Sequence, residues 1–177
     1  KLSNAFSHYP FYIGTLYYGP QNFGPMAPFF LQKTGYRASM VGFPYDDIEW
    51  WSGIYPEDVY EEEYRQLVEG WRDGTADLLA YKGQNEELDE MILMAQAVLC
   101  QYESAYHHIQ FVNRRDANLS EEMLRIVREE METVQTLIDL RLQDSRIGFE
   151  SSNHYFYTLQ DLKEKMINLA YCEERLK

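Results

Sequence analysis

Proline is missing from the last 121 residues of this chain, because all six prolines lie between Pro10 and Pro56. Proline removes a backbone donor and breaks helices, so a tract without it permits long uninterrupted helices. The first 56 residues also hold more than half of the tyrosine, phenylalanine and tryptophan residues. The sequence therefore predicts an aromatic, Gly/Pro-rich cap or docking segment over 1–56 and a helical block over 57–177.

Cysteine is scarce, and long apolar runs are missing. Cys100 and Cys172 lie among apolar residues in helical patterns, which predicts buried thiols rather than a disulfide framework or a metal site. No stretch approaches the roughly 18 apolar residues of a membrane span. We expect a soluble protein with no membrane partner, folded as one unit. Since residue 1 is a lysine, we expect a fragment of a longer protein.

Positive charge is also scarce. The chain has 16 basic and 29 acidic residues, and its net charge of -13 belongs to residues 57–177, because the first 56 are balanced. Proteins that bind nucleic acids draw most of their affinity from Lys and Arg at phosphates. The charge balance therefore argues against nucleic acid and against anionic membranes as partners.

Helical periodicity dominates the second region. Apolar residues at steps of three and four predict helices over 86–112, 119–146 and 159–175, with Thr158 and Asp161 as a capping box for the last. A further helix begins after Pro56 and either stops at Gly74 or continues toward residue 82. The predicted fold class is mainly α, an antiparallel bundle of three to four helices.

The register of the stripes predicts which faces are buried. Glu130 falls outside the stripe of its helix and is assigned to the solvent face. The predicted stripes of the second and third helices are Leu88, Ile92, Ala95, Leu99, Tyr102, Tyr106 and Ile109, then Met123, Val127, Met131, Val134, Ile138 and Leu142.

The first region has no clear periodicity. Two runs, 11–18 and 36–43, are candidates for one or two short strands, and both read equally well as extended loops. The Gly- and Pro-rich run between them, 19–28, is too broken for regular structure and must pack on something larger.

One constellation in this segment has the composition of a sugar site. Asp46, Asp47 and Glu49 precede Trp50 and Trp51, and carboxylates with indole faces are the groups that bind hydroxyls and pyranose rings. The alternative is that the aspartates are turn and capping residues and the tryptophans are core.

Other candidates for ligand binding or docking are Tyr17, Tyr18, Asn22 and His154, with intrachain packing as the alternative. His107 and His108 are adjacent, at a predicted helix end, and face different ways, which argues against a metal. Neither a catalytic motif nor a cofactor motif is present, so we predict no catalytic residue and no cofactor.

The stretch 19–74, from GPQNFGPMAPFF to VEGWRDG, resembles the carboxy-terminal parts of large bacterial proteins of glycoside-hydrolase type, and the FESSNHYFYT loop resembles a later landmark of the same proteins. The resemblance implies an upstream catalytic barrel against which this region packs, and it carries no catalytic residue. It leaves the location open between the bacterial cytoplasm and secretion.

The resulting functional hypothesis is a non-catalytic helical domain of a bacterial carbohydrate-active protein. Its partners would be the upstream domain of the same polypeptide and a carbohydrate. The alternative is a helical interaction or oligomerisation module, such as a homodimer, whose exposed aromatic residues form the contact.

Overall fold

The computed structural model describes residues 1–12, 24–36, 46–148 and 157–177. Four long helices dominate it: α3 (Glu57–Leu79), α4 (Glu86–Asp116), α5 (Ser120–Gln143) and α6 (Leu159–Leu176). Two one-turn helices, α1 (Leu2–Ala5) and α2 (Ile48–Trp51), and short 3-10 turns at Phe6–His8 and Gly24–Met26 belong to the first region. No strand occurs in these ranges, and the strand candidates lie almost wholly outside them. The prediction of a mainly helical protein is confirmed.

The long helices pack as a bundle in chain order, α3 on α4, α4 on α5 and α5 on α6. One apolar core lies among α4, α5 and α6, and it includes Phe111, Leu137, Leu162 and Leu169. A second core joins α3 and α4 to the first region through Tyr60, Tyr64, Ala105, Trp51 and Ala27. Helix α4 therefore contributes to both cores, and its second half is enclosed on nearly all sides.

The predicted helix ends hold in part. Thr158 and Asp161 form the predicted capping box of α6. Helix α4 runs to Asp116, beyond the predicted end at residue 112 and through the polar run expected to terminate it. Asn118 caps no helix; with φ 59° it makes the left-handed turn between α4 and α5.

Gly74 lies inside α3 and does not end it. Its role is in packing, because the short helix α1 crosses α3 at this point. A Cβ on Gly74 would lie 2.6 Å from the Leu2 side chain, and a Cβ on Gly70 would lie 2.9 Å from Ala5. The two glycines, four residues apart, form a smooth patch that lets α1 approach.

The predicted stripes coincide with the buried faces in part, since Ile92, Ala95, Ile109, Met123, Val127 and Val134 are buried. Leu99 is only half-buried, whereas its neighbour Cys100 is buried. Leu142, predicted to be buried, is 68% exposed. Glu130, assigned to the solvent face, is fully buried, so that assignment is wrong. In a helix of 3.6 residues per turn, a strict seven-residue repeat drifts slowly around the helix axis. The buried face stays on one side of the helix, so the repeat departs from it along the length of the helix.

Candidate functional site

The predicted sugar constellation is divided between the interior and the surface. Asp46 is buried, and its carboxylate accepts hydrogen bonds from the Thr34 amide (2.5 Å) and hydroxyl (3.1 Å). Trp51 is buried as well and packs edge-on against His108 at 5.1 Å. Both residues serve the packing of the first region.

The remaining three members lie nearer to solvent. Asp47 is the N-cap residue of α2, but its side chain makes no capping hydrogen bond. Asp47 and Trp50 are half-buried, and Glu49 is exposed. Each of these three side chains reaches solvent in part, whereas Asp46 and Trp51 do not. The other candidates, Tyr17, Tyr18, Asn22 and His154, lie outside the described residues and stay predictions.

The polar centre of the molecule is Glu130 of α5, which sequence reasoning placed in solvent. One carboxylate oxygen accepts from the Ser104 hydroxyl at 2.5 Å and lies 3.3 Å from the Lys165 ammonium. The other oxygen lies 2.9 Å from His107 Nδ1. Ser104, His107, Glu130 and Lys165, which we call the buried polar network, therefore connect α4, α5 and α6.

The ionisation of this network follows from its contacts. Burial would raise the pKa of Glu130, but the charge of Lys165 and the hydrogen bonds from His107 and Ser104 outweigh it, so that pKa lies below its usual value. Burial lowers the pKa of Lys165, against the opposing effect of Glu130. A buried carboxylate without such partners would be very unfavourable.

The network also reaches the first region. Lys165 Nζ donates to the Ala27 carbonyl and lies 3.9 Å above the Phe29 ring. One turn later on α6, Asn168 accepts from the Phe29 amide at 2.8 Å and donates to the Phe29 carbonyl at 3.0 Å. The amide side chain of Asn168 thus pairs with the backbone as a neighbouring strand would.

A third anchor comes from the end of α4. Buried Arg115 donates to the carbonyls of Phe30 (3.1 Å) and Asp46 (2.6 Å) and lies 3.7 Å from the Asp46 carboxylate. Lys165, Asn168 and Arg115, which we call the anchoring side chains, therefore bind main-chain atoms of the first region that lie outside its helices and for which the described residues offer no strand.

An aromatic row lies at the other end of the first region. Phe6 stacks on Tyr9 at 5.5 Å, and Tyr9 contacts Phe11 at 6.3 Å. Phe6 is 46% and Phe11 is 71% exposed. Tyr9 joins the row to the core through Tyr64, also at 6.3 Å. The exposed aromatic row, Phe6, Tyr9 and Phe11, is thus a supported apolar surface rather than isolated side chains.

The cysteines are unsuited to redox chemistry. Cys100 and Cys172 are free and buried, as predicted. Burial raises the pKa of Cys100 to about 12 and that of Cys172 to about 11. Both therefore remain protonated at neutral pH, and a thiol is a poor nucleophile.

No protein-family model, curated protein or solved structure matches this chain. None of the described helices is both long enough and apolar enough to cross a membrane. The described residues contain no group of His, Cys, Asp and Glu side chains that could hold a metal ion.

Proposed function

We propose that this chain is a non-catalytic helical domain of a bacterial carbohydrate-active protein. Its four long helices form an antiparallel bundle that presents the aromatic first region to a neighbouring domain of the same polypeptide. The short connections between α3 and α4 and between α4 and α5 favour antiparallel neighbours.

The observation that carries this proposal is the set of anchoring side chains. Lys165 and Arg115 are almost completely buried, and both direct their charges at main-chain carbonyls of the first region. Burying charge is expensive, and an apolar core alone stabilises a bundle more simply. A fixed shape for an irregular segment is the property gained, and a fixed shape is what a docking surface requires.

The exposed aromatic row is the proposed contact with the neighbouring domain. Aromatic anchors supply most of the binding energy at many interfaces. In a titration of the isolated upstream domain with this chain, we expect Phe11→Ser to weaken binding by roughly tenfold or more, a loss of ~1.4 kcal/mol. The matched control is Tyr81→Ser, because Tyr81 is 51% exposed but follows α3 at the turn to α4. Equal affinity for Phe11→Ser and the parent chain would refute this contact.

The carbohydrate role rests on Trp50, Glu49 and Asp47, which lie at or near the surface. A bound saccharide should shift the tryptophan fluorescence of the chain, and Trp50→Phe should abolish that shift. A shift that persists in Trp50→Phe would assign the signal to another tryptophan.

The same aromatic row favours the alternative, a homodimerisation module. Sedimentation equilibrium of the chain alone separates the two functions. A dimer that Phe11→Ser dissociates would favour self-association, whereas a monomer that binds the upstream domain would favour the docking domain.

A further inference from the structure

A polar cleft of about 490 Å³ lies where α3, α4 and α5 meet, on the side of the bundle away from α6. Helix α4 forms its floor with Glu103, Tyr106, His107 and Gln110, which follow the spacing of one helix face. The volume is typical of sites for small molecules. The cleft is separate from the aromatic row and from the surface at Trp50.

His107 is the distinctive group of the floor. Its side chain is only 9% exposed, and its Nδ1 is held by the Glu130 carboxylate at 2.9 Å. Because the pKa of Glu130 is lowered, that carboxylate is ionised and can only accept, so Nδ1 carries the proton. The second ring nitrogen, Nε2, has no hydrogen-bond partner among the described residues.

The walls combine donors and acceptors in nearly equal number. Each of the three arginines in the lining is already paired with a glutamate. These pairs are Arg65–Glu69 at 2.5 Å, Arg72–Glu103 at 2.7 Å and Arg125–Glu129 at 2.6 Å. Glu132 adds a further carboxylate, and Gln110 adds an amide at the floor. An anion would meet the negative charge of the lining glutamates, and an amine would use only the acceptors.

We propose that this cleft binds a neutral polyhydroxylated small molecule, such as a saccharide unit, with His107 Nε2 hydrogen-bonded to a ligand hydroxyl. Hydroxyl groups both donate and accept, so they match a wall of paired guanidinium and carboxylate groups. The buried Glu130 acts as a positioning residue, since its contact with Nδ1 fixes the orientation of the imidazole.

The test is a titration of the chain alone, observed through the side-chain 15N resonances of its histidines. Glucose, galactose, N-acetylglucosamine and cellobiose are the probes, with sodium phosphate and putrescine as the charged comparisons. We expect at least one saccharide to shift the Nε2 resonance of His107 while that of His108, which is buried in the aromatic core, stays unchanged.

Two variants locate the ligand. Thr136→Tyr places a ring in the cleft from an exposed position, and Gln135→Tyr is its control, because the exposed neighbour Gln135 does not line the cleft. We expect Thr136→Tyr to weaken saccharide binding by about tenfold or more and Gln135→Tyr to leave it unchanged. Glu132→Ala, which removes an exposed acceptor without touching the buried polar network, should also weaken it.

Three results would overturn the proposal. These are no shift of His107 Nε2 with any saccharide, equal binding by the parent and Thr136→Tyr, and a response to phosphate or putrescine alone. None of them bears on whether a neighbouring domain docks at the aromatic row, because that contact lies elsewhere and has its own titration.

Discussion

The helical block and the first region are stabilised in different ways. The block is held by apolar faces, in which residues such as Ile126, Leu137 and Leu169 are wholly buried. The first region contributes some apolar contacts, but its main chain is fixed by Lys165, Asn168 and Arg115, which reach it from α6 and α4. A periodic element satisfies its own backbone, whereas an irregular segment needs donors and acceptors from elsewhere.

The largest expected effect comes from breaking the buried ion pair between α5 and α6, whose lysine also reaches the first region. Lys165→Met leaves Glu130 buried without its cation, which should reduce the free energy of unfolding by about 3–5 kcal/mol. Urea denaturation measures it. Lys163→Met is the control, because Lys163 is exposed on the same helix and should change stability by less than about 0.5 kcal/mol.

The double variant Glu130→Gln/Lys165→Met sharpens the result. It keeps an amide for Ser104 and His107 and removes both charges, so it should be more stable than Lys165→Met alone. A double variant that is less stable than Lys165→Met would show that the carboxylate matters for reasons other than charge pairing.

The next effect concerns the loop closed by Gly148 and Tyr157. Gly148 has φ 91°, and a Cβ there would lie 2.6 Å from the Tyr157 carbonyl oxygen. Gly83 has a similar φ of 86° with nothing within 4 Å. Gly148→Ala should therefore cost more than Gly83→Ala, roughly 2–3 against ~1 kcal/mol in thermal or urea unfolding. Equal losses would mean that backbone strain alone decides both.

A smaller effect is expected from acid. The pKa of Glu130 is lower in the folded chain than its ordinary value of 4.5. The unfolded state then binds more protons below pH 4.5, so stability present above that pH is lost as the pH falls through the folded pKa. Glu130→Gln/Lys165→Met should show a shallower loss in urea titrations between pH 5 and pH 3. An unchanged pH dependence would exclude Glu130 as a source of the acid sensitivity.

The sequence predicts the long helices well and their contacts with the first region poorly. Periodicity and the absence of proline locate the long helices within a few residues, because both are local properties. The buried polar network is not local. Its signal is present, since Lys165 lies three residues after Leu162 and four before Leu169, and Glu130 has the same spacing from Val127 and Val134, although the predicted stripe passes through Met131. Two opposite charges at apolar spacing predict each other as partners, although the spacing alone does not show which atoms of the first region complete the site.

Gly74 and His107 show the same dependence on contacts that are distant in the sequence. Gly74 has the local signature of a helix end, but α1 packs on it, and only the tertiary structure reveals that contact. His107 has the local signature of a helix-end residue, but Glu130 lies 23 positions away and orients it. Sequence reasoning therefore failed where a residue's role depends on a distant element.

Hydrogen exchange in Asn168→Ala tests most directly whether side chains of the helical block hold the first region in place. The Asn168 side chain makes two hydrogen bonds to the Phe29 main chain. The neighbouring residue Ile167, which is 69% exposed, is the control position. In Asn168→Ala we expect the Phe29 amide to exchange at least about tenfold faster, while the central amides of α5 keep their rates and Ile167→Ala changes neither. Unchanged protection of Phe29, or an equal loss in α5, would contradict the account.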